Sequence, residues 1–201
     1  MSVLPQVCRQ FALLVCGLLS LTACVSMDDN VQPLRTTIVM SGDLSQLPPS
    51  AMTYSWHPQL QKIFVDDRLN QQDVLKHMQD TLKKSLLSKG YRWVEDPQLA
   101  DFQVGFGVAM GTEMTDEQIL AAAGLVAGLS TEGVNTKKYD KGSILISFFR
   151  PIGVAGQPYE MVWRVLAQGF ANIKQMDELK ERFDGLVEEM LLTLPATQAV
   201  Q

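Results

Sequence analysis

The chain has 201 residues, 46% of them hydrophobic and 19% charged, a balance typical of globular proteins and enough for one domain with a substantial core. Its net charge of −5 implies a mildly acidic surface and argues against nucleic acid as the main partner. All three cysteines, Cys8, Cys16 and Cys24, fall in the first 24 residues, so a chain beginning at Cys24 cannot form an internal disulfide.

Arg9 precedes an apolar run of 11 residues, Phe11 to Leu21, shorter than the roughly 20 that a spanning helix needs. It reads as the core of an export signal. The run ends in Leu21-Thr22-Ala23-Cys24, which resembles the lipobox of bacterial lipoproteins: an aliphatic residue, a small residue just before the cysteine, then the acceptor. Cys16 follows bulky Val15 and does not fit. The resemblance implies that residues 1–23 are a signal peptide cut before Cys24. Cys24 would then carry a thioether-linked diacylglycerol, and its new amino terminus a palmitate-type acyl chain. At about 0.8 kcal/mol per buried CH₂, one chain binds a bilayer marginally, whereas two or more hold it.

Val25 stands where a retention rule for the inner membrane would want Asp, so the expectation is the outer membrane, with the domain facing the periplasm. Residues 24–33 read as a lipidated tether, 34–195 as a single domain and 196–201 as a tail. Without Arg9, the mature balance is 16 Lys and Arg against 22 Asp and Glu, a net −6.

Residues 34–40 are rich in β-branched side chains and predict a strand, closed by Gly42-Asp43 and Pro48-Pro49. Residues 51–56 predict a second strand that His57-Pro58 breaks. From Leu69 to Lys89, Leu75, Met78, Leu82 and Leu86 repeat at helical spacing, with Gly90 placed to cap the end. Residues 91–94 predict a short strand, and 101–108 a half-buried one with Phe102, Val104, Phe106 and Val108 on its apolar face. Thr115-Asp-Glu-Gln118 fits a capping box ahead of the apolar stretch Ile119 to Leu129. That stretch admits three readings: a packed helix, a lid over the core, or a loop dipping into a membrane. Residues 143–149 and 160–167 predict a hairpin across a turn-rich link holding Pro151, Gly153, Gly156 and Pro158. Leu179, Phe183, Leu186, Val187, Met190, Leu191 and Leu194 then mark a helix that Pro195 stops. The order of elements predicts an α+β fold: a mixed, mostly antiparallel sheet with amphipathic helices packed on one face.

Thr53-Tyr54-Ser55-Trp56, Leu86 through Lys89-Gly90-Tyr91, Asp101 opening a strand, and Val162-Trp163-Arg164 form an ordered series. In this the chain resembles the domain-of-unknown-function 4136 family of envelope lipoproteins, over roughly residues 35–195. It departs from the family pattern at Arg150, where an acidic residue is common, and at Val165, where Gly is common; residues 113–138 look like an insertion. The resemblance implies a fold and a location but brings no activity and no catalytic residues.

Candidate chemistry is sparse. His57, before a proline, and His77, on the polar side of its helix, stand alone without metal-ligand spacing, so no metal site is expected. Asp66-Asp67, Glu95-Asp96 with Asp101, and Asp116-Glu117 could pair as acid and base in glycosidic hydrolysis, but each also fits a turn, a cap or a solvated surface. Neither a GxSxG elbow nor a phosphate-binding glycine loop is present; Gly105-Phe-Gly107 sits inside a strand pattern. Tyr54, Trp56, Trp93 and Trp163 could line a groove or fill the core, and core is the commoner use. The expectation is a non-catalytic interaction or structural module with no cofactor, held to a membrane by its lipid and meeting an envelope protein partner. The first alternative is a small-molecule or lipid carrier using the sheet's helix-free face or the Ile119–Leu129 segment as an apolar lid. The second is an envelope glycan hydrolase. Oligomeric state is not legible.

Overall fold

A computed structural model describes residues 35–111, 114–151 and 159–197. Cys24, the leader and the tether lie outside the described residues, as does most of the hairpin link. Six strands are described: β1 (Thr36–Gly42), β2 (Thr53–Val65), β3 (Arg92–Trp93), β4 (Phe102–Met110), β5 (Asp140–Arg150) and β6 (Glu160–Ala171). Three helices accompany them: α1 (Gln71–Ser88), α2 (Asp116–Ala123) and α3 (Met176–Met190). The strands form one sheet in the order β1-β6-β5-β4-β2-β3, with β2 parallel to both β3 and β4 and the remaining pairs antiparallel. The α+β class and the mixed sheet are as expected.

Two helices cover one face. On α1, Met78, Leu82 and Leu86 are fully buried, one or two turns apart, and Asn70 caps its first turn by accepting from the amides of Gln72 and Asp73. On α3, Phe183, Val187 and Met190 are the buried residues at similar spacing. These side chains meet Val104, Phe106, Val108, Ile144, Ile146, Phe148, Val162, Trp163, Val165 and Ala167 in the main core. Residue identity sets the face each strand presents, because successive side chains alternate.

The two amphipathic helices share one face as expected, but the opposite face is also covered, which corrects the expectation of a half-buried β4. α2 lies there, with Ile119 and Ala123 packed on Leu166 and flanked by Val39, Leu125, Ala127 and Leu145. The predicted capping box is present, Thr115 and Gln118 bonding reciprocally, but the helix stops at Ala123 because Gly124 takes a left-handed conformation at φ +63°. The Ile119–Leu129 stretch is therefore a packed helix and a lid together.

Two other expectations need correction. β2 does not break at His57-Pro58; it runs to Val65, and its register with β4 shifts between Trp56 and Gln61. Pro58 falls within that irregularity, where a missing N–H costs no ladder bond. Likewise, α3 ends at Met190, before Pro195: Leu191 and Leu194 reach the core through tight turn bonds from Leu192 to Glu189 and from Leu194 to Leu191.

The quoted family motifs turn out to be packing devices. Tyr54 stacks on Phe102 and meets Trp56 edge-on; Tyr91 meets Phe102 edge-on; Phe102, Phe148 and Trp163 continue the series at centroid spacings of 5.4 and 5.1 Å. Asp101 accepts from the amides of Met52 and Thr53 and from the Thr53 hydroxyl, all within 2.9 Å, pinning β2 beside the start of β4. Lys89 and Tyr91 bond the carbonyls of Leu194 and Pro195, and the Thr197 amide bonds the Lys89 carbonyl, so this motif docks the segment after α3. At the two departures, Arg150 pairs with Glu160 directly across the hairpin, and Val165 is fully buried.

Candidate functional site

Between the sheet and α2 lies an apolar cleft of about 450 Å³, within the size range of small-molecule sites. Its floor is made by the small side of β4, Gly105, Gly107 and Ala109, whose alternate residues Phe106 and Val108 point into the main core. Bulky-small alternation along this strand thus fills one face and leaves room on the other. An added Cβ at Gly107 would make only ordinary contacts, the nearest at 3.8 Å, so this floor position is open. At Gly105 it would press on Leu60 Cβ at 2.9 Å, so Leu60 packs directly over that position.

The walls come from Leu60 and Phe64 on β2, Phe149 on β5, Met161 and Leu166 on β6, and Ile119, Ala122 and Ala123 on α2. Leu60, Phe64 and Met161 are large apolar side chains left 37%, 50% and 39% exposed at its rim. An apolar cleft edged by solvent-exposed apolar residues has the character of a binding surface.

Polar residues on β6 hold the lid in place. Arg164 donates from Nη1 to the Ala123 carbonyl at 2.9 Å, and the Leu129 amide donates to Gln168 Oε1 at 3.1 Å. These two residues flank Leu166 on the same side of the strand, so one strand face supplies both fastenings and the apolar contact between them. Lys141 on β5 stands 3.4 Å from Asp116 at the start of α2. The Arg35 guanidinium bonds the Ser130 carbonyl at 3.2 Å.

Arg164 was legible only as part of a motif, and Gln168 was missed. The signal for both was a charged and an amide residue four apart in an otherwise apolar strand. Their partners, Ala123 and Leu129, lie 41 and 39 residues away.

The acidic groups singled out in the sequence are placed in ordinary structural work. Asp66 and Asp140 share Arg68, at 2.7 and 2.8 Å, and the hydrogen bonds from Arg68 hold the Asp66 carboxyl below its ordinary value. Asp67 and Glu95 are exposed, and Asp96 accepts from the Gln98 amide at 2.9 Å. Asp116 and Glu117 occupy the first turn of α2, where negative charge is favoured. For Asp101, burial alone would raise the carboxyl, but the bonds from Met52 and Thr53 outweigh it and keep it low.

Of the aromatics, Tyr54 and Trp163 are core residues and Trp56 is partly buried beside them, while Trp93 lies exposed under the Lys83 ammonium at 3.9 Å. His57 packs on Phe149 and Tyr159, and burial pushes it below the ordinary imidazole value. His77, expected on the polar side of α1, instead faces α3, with Nε2 2.9 Å from Asp184 and its ring 5.3 Å from Phe183. Among the described residues, no cluster of three His, Cys, Asp or Glu could hold a metal ion, and no helix is long and apolar enough to cross a membrane.

An α+β domain with a roofed sheet and an apolar cleft under the roof is the class of protein this geometry defines. The chain belongs to the family described as Domain of unknown function (DUF4136), whose model matches residues 45–196. Among solved structures, it is similar to a DUF4136 family protein from Bacteroides thetaiotaomicron, at 13% identity over 80% of this chain and 98% of that one, with a TM-score of 0.47. It is also similar to a PDZ domain protein from Parabacteroides distasonis, at 11% identity over 83% of this chain and 37% of that one, with a TM-score of 0.46. No curated protein matches the chain.

Proposed function

We propose that this chain is a bacterial envelope lipoprotein, anchored in the outer membrane through Cys24, whose periplasmic domain is a non-catalytic module that binds an apolar or amphipathic small molecule in its cleft. The observation that carries the binding role is the cleft itself: a floor of Gly105, Gly107 and Ala109 under a lid fastened by Arg164 and Gln168. A void of this size lined by apolar side chains leaves their dispersion contacts unmade, and an apolar ligand supplies them. The lipid anchor is supported by Leu21-Thr22-Ala23-Cys24 after a short apolar run. The non-catalytic role is supported by the structural employment of the acidic groups as ion-pair, cap and ladder partners.

Native mass spectrometry of the mature chain carrying Cys24→Ala, isolated from the periplasm, tests the binding role. The expected result is a retained small apolar molecule in the otherwise wild-type chain and none in a folded Gly107→Val variant, whose side chain fills the floor. A chain that retains nothing and takes up none of the envelope lipids offered to it contradicts the proposal.

A further inference from the structure

We infer that the cleft takes a single-chain anionic amphiphile, a fatty acid whose carboxylate lies against Arg164 and whose chain runs over the β4 floor; this rests on the cleft being the binding site proposed above. Charge distribution is the first argument. The chain carries 22 acidic against 17 basic residues, yet the cleft lining includes Lys62 and Arg164 and no acid. A site that runs against the sign of the whole molecule favours an anion.

The state of Arg164 is the second argument. Arg68, Lys76, Lys141 and Arg150 each stand beside a carboxylate, whereas Arg164 has none among the described residues. Its Nη1 is used by the Ala123 carbonyl, and its Nε is shut off from solvent without an acceptor among the described residues. Nη2 is thereby the donor left over. A carboxylate accepts one charge-assisted hydrogen bond from such a donor. A guanidinium stays charged at any ordinary pH, and this half-buried one has no carboxylate beside it among the described residues, so an anion would complete the arrangement.

Strand register supplies the third argument. Arg164 pairs with Ser147, which pairs with Gly105, making one row across the face. The next row is Leu166, Leu145 and Gly107, with Lys62 beyond; the row after it ends in Ala109 and Phe64. The only guanidinium of the lining and the Ser147 hydroxyl thus share one end of the floor; beyond them lie Leu166, Leu145, Gly107, Ala109 and Phe64, with exposed Lys62 at the outer edge and Ser143 already bonded by Gln168. A head group that is anionic and a tail that is apolar fit that polarity, and a carboxylate on one acyl chain is the simplest molecule with both.

The test uses the full lipidated chain in phosphatidylcholine vesicles, photo-crosslinked with a diazirine-bearing fatty acid and with the fatty alcohol of equal length, the acid being ionised. Adducts are mapped by peptide mass spectrometry. The fatty acid is expected to label the peptides holding Leu60, Phe64 and Ile119 at least about tenfold more than the alcohol, the weight of one charge-assisted hydrogen bond. Arg164→Met should bring the acid-to-alcohol labelling ratio to about one; the variant also removes the Ala123 fastening, so a loosened lid lowers both probes together and only the ratio reports the contact with the anion. Arg164→Lys should restore part of the preference. Equal labelling by acid and alcohol, in a ratio unaffected by Arg164→Met but with both labels abolished by Gly107→Val, overturns the anion inference and leaves the cleft reading standing. Absence of cleft labelling by either probe overturns both.

Discussion

The Arg164 guanidinium sits directly beneath Gly124, and its Nη1 donates to the carbonyl of the preceding residue, Ala123, at 2.9 Å, so the last turn of the lid helix rests on a strand cation. An added Cβ at Gly124 would overlap that guanidinium. Gly128 has nearly the same left-handed φ, +64° against +63°, but open space around it. Alanine at either position bears the roughly 1–2 kcal/mol of left-handed backbone. Only Gly124→Ala should also displace Arg164, losing a further ~1.5–3 kcal/mol from a hydrogen bond with a charged donor. Urea melts of the two variants check this, and the difference between them isolates the contact.

Gln168 is fully buried and accepts from the Leu129 amide while its own amide donates to Ser143 Oγ at 3.3 Å. Gln168→Leu removes the acceptor and leaves a buried N–H unpaired, at a cost of about 1–3 kcal/mol. Hydrogen exchange should therefore quicken at lid amides from Ile119 to Leu129 while the core amides of β4 and β5 keep their protection. Uniform acceleration across the sheet would mean that the lid and the core unfold together.

Asp101 gives stability a defined pH dependence. Its carboxyl lies below its ordinary value in the folded chain, so it contributes stability above the unfolded value of about 3.9 and loses it as pH falls through the lower, folded value. Asp101→Asn cannot accept in the same way from Met52 and Thr53, and should destabilise near neutral pH by ~1–3 kcal/mol. Below the folded value the wild-type and variant stabilities should converge. Denaturant melts at neutral and strongly acidic pH compare the two.

Two buried tyrosines make opposite predictions. The Tyr54 hydroxyl has no partner among the described residues, and burial pushes its phenol well above its ordinary value. Tyr54→Phe should leave stability within ~0.5 kcal/mol or raise it, since an unsatisfied polar group is removed. Tyr91 instead donates to the Pro195 carbonyl at 3.1 Å, and Tyr91→Phe should cost about 1 kcal/mol. Thermal unfolding of both variants measures the contrast.

What was legible in the sequence was local. The faces of α1 and α3, the Thr115 capping box and the β5–β6 hairpin follow from spacing within a few residues. The second face of the sheet was not, because a strand reading Phe-Gln-Val-Gly-Phe-Gly-Val shows which residues are bulky but not what covers the small ones. Gly105 and Gly107 read equally well as an open face. The lid that covers them is fastened by side chains about 40 residues away, Arg164 and Gln168, and no local period announces such a pairing. His77 was placed on the wrong side for the same reason: Asp184 and Phe183 come from another helix late in the chain. Pro58 misled because its cost to a strand depends on whether the neighbouring strand needs its N–H, which only the bulge answers.

Methyl-resolved NMR of the mature chain carrying Cys24→Ala, titrated with lipids extracted from the bacterial envelope, tests the binding role of the cleft most directly. Shifts should be confined to methyl groups lining it, on Leu60, Ile119, Leu145 and Leu166, while those of Leu82, Ile146 and Val187 on the helix-covered face stay fixed. Shifts centred on the α1–α3 face, or none in the cleft at any lipid concentration, would contradict it.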